Sequence, residues 1–170
     1  MALNDNQAWR VTFNTLPKTL EMFCELKEAD LKEPHETVAL LVTALCMWAD
    51  NQDVAIEMIN YLKGPDKLSV REVQFINDRL KDKKYLPYSY FIGSSPDNEY
   101  TPTKPYTINV ESTPKSFDEA GYARLYLQSS GADSVRPVML RQKQSTGQWF
   151  MVDQMLLSEI RKPSLEDPWS

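Results

Sequence analysis

Between Val38 and Ala49 the only clearly polar side chain is Thr43. A helix this apolar around its whole circumference has to be covered on most sides. It is far short of the about 20 residues needed to span a bilayer, so its cover must come from the rest of the chain. The remaining sequence is therefore read as layers that wrap a central helix.

Helical signals fill the first half. Thr15 and Pro17 predict a first helix to about Ala29, with Leu20, Phe23 and Cys24 as its apolar stripe, because proline is tolerated in a first turn. Glu33-Pro34-His35-Glu36 opens the apolar helix with acidic residues at its positive end. Asp50 or Asn51 can cap a third helix through Leu62, stopped by Lys63-Gly64-Pro65. Ser69-Val70-Arg71-Glu72 matches a capping box and starts a fourth, with Val70, Val73, Ile76 and Leu80 along one side.

The pattern then changes. From Tyr85 to Tyr106, Pro87, Pro96, Pro102 and Pro105 stand among six aromatic residues, which excludes a continuous helix and leaves a long connection with short strands expected at Tyr88–Ile92 and Tyr106–Val110. Further on, Ala123, Leu125 and Leu127 alternate with Tyr122, Arg124 and Tyr126, and Val138 and Leu140 with Met139 and Arg141. That is the period of half-buried strands. Ser145-Thr146-Gly147 reads as a hairpin loop, and Met155–Arg161 as a short helix or strand. Helices first and antiparallel strands afterwards predict an α+β domain spanning 1–170: a helical part at about 15–84, the Tyr/Pro-rich connection at 85–106, a sheet at about 106–162 and a short tail at 163–170. Trp169 is expected to dock on the body of the domain.

Charge is spread evenly. Residues 1–85 carry 11 basic and 14 acidic side chains and residues 86–170 carry 8 and 10, for a net −5. Neither half offers the positive block that phosphate neutralisation favours, so nucleic acid is disfavoured as a partner. Met1-Ala2-Leu3-Asn4-Asp5 has neither the basic nor the apolar region of a signal peptide. Cytoplasmic localisation without membrane attachment is expected, with Cys24 and Cys46 reduced and buried.

Familiar chemistries are tested in turn. The five glycines, at 64, 93, 121, 131 and 147, are too scattered for a phosphate-binding loop. His35 stands alone near a helix start and is expected to be solvated. Two cysteines and one histidine lack zinc-site spacing, and Asp97-Asn98-Glu99 lacks the pattern of a calcium loop. No cofactor or metal is expected. Glu111, Asp118, Glu119 and Asp153 are candidate acids, though nothing in the sequence brings two of them together.

The pattern with most chemical promise is the polar face of the sheet. There Arg124, Tyr126, Arg141 and Lys143 would gather and grip a carboxylate, a phosphate or an acidic segment by charge-assisted hydrogen bonds. Tyr88, Tyr90 and Tyr100 of the connection would line an adjoining groove. Solvated arginines on an exposed strand face are the bland alternative.

At Ala44-Leu45-Cys46, Leu62-Lys63-Gly64-Pro65, Tyr100-Thr101-Pro102 with Pro105-Tyr106, Gly131-Ala132-Asp133-Ser134 leading to Arg136-Pro137, Thr146-Gly147-Gln148-Trp149-Phe150, and Ile160-Arg161-Lys162-Pro163 running to Asp167-Pro168-Trp169, the chain resembles an uncharacterised bacterial family, a domain of unknown function. The resemblance runs from about Leu16 to Trp169. It implies a bacterial, cytoplasmic, stand-alone domain and brings no activity or site residue with it.

The expected function is a non-enzymatic module, monomeric or homodimeric, that binds a protein partner or a small acidic ligand. The alternatives are an enzyme with a carboxylate/tyrosine acid–base site, and DNA binding through the helix at 69–84, with Arg71, Gln74, Asn77, Asp78 and Arg79 in the major groove.

Overall fold

A computed structural model describes residues 6–170. Four helices, α1 (Leu20–Glu25), α2 (Pro34–Met47), α3 (Gln52–Lys63) and α4 (Val70–Leu80), precede most of a five-stranded antiparallel sheet. The strands are β1 (Ala8–Phe13), β2 (Tyr106–Glu111), β3 (Tyr122–Leu127), β4 (Arg136–Lys143) and β5 (Gln148–Gln154), in the order β1-β2-β3-β4-β5. The α+β class holds, with one addition. No element is expected before Thr15, yet β1 pairs with β2 along its full length, Val11 opposite Ile108 and Phe13 opposite Tyr106.

The apolar helix is the centre, as its composition demands. In α2 every side chain except His35 and Glu36 is buried. Thr43 survives there because its hydroxyl donates to the Leu40 carbonyl at 2.8 Å, which spares the cost of an unpaired polar group. The inward side chains of the sheet, among them Val11, Ile108, Val110, Leu125, Val138 and Leu140, are buried in the same core. Full burial of each such side chain is worth about 1.5–3 kcal/mol.

The helix ends follow the sequence closely where a specific cap exists. Asn51 accepts the Val54 N–H to start α3. Ser69 and Glu72 form a reciprocal capping box at the start of α4, at 3.1 Å in each direction. Gly64 ends α3 at φ 65°, where a Cβ would stand 2.6 Å from the Phe150 ring.

Several expectations are corrected. The first helix is short: Thr19 caps it, and it gives way at Leu26 to a 3-10 turn over Lys27–Asp30. That turn ends at Leu31, with φ 60°, whose carbonyl accepts the Trp149 N–H at 2.7 Å. Of the stripe Leu20, Phe23 and Cys24, only Phe23 is buried, and Cys24 is exposed. Tyr88–Ile92 is not a strand. Pro87–Tyr90 forms a 3-10 turn, and only Phe91 bridges to Ile108. Met155–Arg161 is neither helix nor strand: its end N–H groups donate to the Pro137 and Gly131 carbonyls, and side chains satisfy the middle, where Gln154 accepts the Leu156 N–H and the Arg136 guanidinium donates to the Ser158 and Glu159 carbonyls. Trp169 does not dock; it is 93 % exposed.

Candidate functional site

Strand register decides which of the expected binding residues share a surface. Tyr122, Arg124 and Tyr126 point to one face of β3, and β4 sets Arg141 opposite Tyr122, Met139 opposite Arg124 and Pro137 opposite Tyr126. Arg124 and Arg141 are therefore diagonal neighbours on the outer face, at a separation of roughly 7–8 Å for such pairs. Lys143 lies two residues beyond Arg141 on the same face. Arg124, Arg141 and Lys143 are all exposed, and none makes an ion pair with another described residue.

Aromatic rings support these cations. The Arg124 guanidinium stands 5.9 Å from the centre of the Tyr126 ring, and that of Arg141 stands 5.5 Å from the Tyr122 ring. Each contact is worth about 0.5–1 kcal/mol at an exposed site and presents a planar fork on a flat support. Arg141 and Lys143 also line a cleft of about 450 Å³ closed by Pro65 and Phe150. Lys63 borders it too, but its buried ammonium is committed to Glu72 at 3.2 Å. Burial alone would raise the Glu72 carboxyl; the Ser69 N–H and the Lys63 charge outweigh it and hold the group below its usual range.

The three tyrosines of the connection do not form one groove. Tyr90 is buried, and its hydroxyl donates to the Leu156 carbonyl. Tyr100 is 2 % exposed, stacks on Tyr85 with ring centres 5.3 Å apart and donates to the Arg161 carbonyl; burial pushes its hydroxyl up to about 12. These two rings tie the connection to the segment after β5. Tyr88 is half-buried and borders the same hollow as the Cys46 thiol, and burial pushes both groups up. Tyr88 and Tyr100 do border one hollow of about 310 Å³. A phenol and a thiol held in their neutral forms are poor bases there.

In α4, Asn77 accepts the Trp48 indole N–H at 2.9 Å and Gln74 donates to Asp78 at 2.9 Å. Three of the polar side chains assigned to a DNA groove, Gln74, Asn77 and Asp78, are thus already engaged within the domain. Arg79 lies over the Phe75 ring at 5.1 Å.

A second cleft, of about 390 Å³, escapes sequence analysis. It lies at the N-terminal end of α2, where β1 and β5, the two edges of the sheet, each supply a tryptophan. Trp9 stacks on His35 with ring centres 4.7 Å apart and planes 2° from parallel, while Phe117 meets Trp149 edge-on at 6.3 Å. His35 is therefore not solvated. Burial lowers its pKa, and its Nδ1 is buried without a hydrogen-bond partner among the described residues. The alternation of Trp9, Val11 and Phe13 is the one sequence signal that could have located part of this cleft.

The geometry names no reaction, and the comparisons with known proteins give a family without an activity. The model of a domain of unknown function, DUF6935, matches residues 15–164. The chain belongs to that family. No curated protein and no solved structure matches it. In this DUF6935 domain, function is read from two clefts and the chemistry of their walls. Among the described residues no group of acidic, histidine and cysteine side chains is placed to hold a metal ion, and no helix is long and apolar enough to cross a membrane.

Proposed function

We propose that the chain is a non-enzymatic, cytoplasmic binding module that holds an acidic ligand, or an acidic segment of a protein partner, on the outer face of β3 and β4. The observation that carries this reading is the set Arg124, Arg141 and Lys143: three exposed cations on one face without anionic partners among the described residues. Unpaired cations on a rigid sheet need no rearrangement to meet a carboxylate, and two guanidinium forks can each take one in bidentate fashion. The cleft beside Arg141 and Lys143 gives a small ligand an apolar wall, the Phe150 ring, against which to lose water.

Titration with citrate and with a hexaglutamate peptide, followed through the backbone amide signals, tests the reading. Shifts concentrated on Tyr122–Tyr126 and Val138–Lys143, and a Kd at least tenfold weaker for the double variant Arg124→Glu, Arg141→Glu, are the expected result. Unchanged affinity in that variant would overturn it.

A further inference from the structure

The cleft at the N-terminal end of α2 has the opposite character. Its walls carry the aromatic rings of Trp9, Phe117, Tyr122 and Trp149, and among the described residues its only charged lining side chains are Glu33 and Glu119, both exposed. Among the described residues no lysine or arginine lines it. Lys32, next to Glu33 in sequence, donates its ammonium to the Thr146 carbonyl. His35, behind Trp9, is held toward its neutral form by burial. The positive end of the α2 dipole is offset by Glu33 at the cap and Glu36 in the first turn.

Ring faces carry negative potential, and an alkylated ammonium ion is attracted to them while its methyl groups shed water against the same surface. Carboxylates at the rim add long-range attraction. An anion would meet two negative charges here, and a neutral apolar molecule would gain nothing from them. We propose that this cleft is a second binding site, opposite in chemistry to the cationic sheet face with which it shares Tyr122, and that it takes a small organic cation bearing an alkylated ammonium group, held against Trp9 and Trp149 with Glu33 and Glu119 at its mouth.

Choline, tetramethylammonium and 3,3-dimethylbutan-1-ol, the uncharged isostere of choline, are the probes. The indole N–H signals report on them directly. Both ammonium ions are expected to move the Trp9 and Trp149 signals and to leave those of Trp48, buried and bonded to Asn77, and Trp169, in the tail, in place. The isostere is expected to bind at least fivefold more weakly, and Glu119→Gln, on an exposed position that bears no packing, to weaken choline at least threefold while the fold is retained. Equal binding of choline and its isostere would overturn the proposal, as would the absence of any shift at Trp9 and Trp149 at tens of millimolar ligand.

Discussion

The two clefts differ in almost every respect except their neighbour. One is walled by Arg141, Lys143 and Phe150 and the other by Trp9, Phe117 and Trp149 with glutamates at the rim, yet Gln142 of the β4–β5 hairpin borders both. The cationic wall of the first, Arg141 and Lys143, lies on one face of one strand and follows from the period of the sequence, while Lys63, Pro65 and Asp66, at and just after the end of α3, close its other side. The second needs the first and last strands of the sheet to reach the same helix end, and its members are drawn from positions 7 to 149. Cations two residues apart on one strand face can be collected locally; a ring-lined cleft at the meeting of two sheet edges cannot.

The sharpest way to break this pairing is at Gly64. A side chain there faces both a positive φ and the Phe150 ring at 2.6 Å, so Gly64→Val is expected to cost about 3 kcal/mol or more in urea unfolding. In folded protein at low temperature it should abolish citrate binding while the Trp9 and Trp149 signals still respond to choline. Loss of both responses together would mean that the two clefts form a single cooperative unit.

Glu72→Gln sharpens the contrast in the other direction. It frees the Lys63 ammonium, now committed to the carboxylate, toward the cationic cleft that Lys63 already borders. Citrate should bind severalfold tighter, and stability should fall by about 1–2 kcal/mol, less than for a fully buried pair because Glu72 is half exposed. Tighter binding without the stability loss would show that the pair contributes little to the fold.

The smallest expected effect is a pH dependence confined to the aromatic cleft. His35, the only histidine in the chain, has its pKa lowered by burial. The unfolded chain therefore takes up this proton first, and stability is fully present above the ordinary histidine pKa of about 6.5 and declines as pH falls from there toward the folded value. Between pH 7.5 and 6.0 the melting temperature should drop slightly, and His35→Gln should flatten that slope. A slope unchanged by the substitution would assign it to other groups.

The helices and the outer sheet face are legible in the sequence because each depends on neighbours. Asn51, Ser69 with Glu72, and Gly64 act within a few residues of where they stand, and the alternation around Arg124 and Arg141 is copied directly into the pleat. Elements that depend on distant partners are not legible. The strand β1 is fixed by β2, nearly a hundred positions away, and Tyr90 and Tyr100 are buried because Leu156 and Arg161 accept their hydroxyl hydrogens. A tyrosine in a proline-rich stretch carries no mark that its hydroxyl will be claimed by a remote carbonyl.

The bond from the Trp149 N–H to the Leu31 carbonyl bears on how copies of this chain meet. As the last strand of an open sheet, β5 would otherwise offer its backbone groups to a foreign strand. At Trp149 that position is already taken by the chain's own turn, held at a positive φ by a leucine. Strand addition is thereby obstructed at Trp149, which leaves β1 as the other open edge of the sheet.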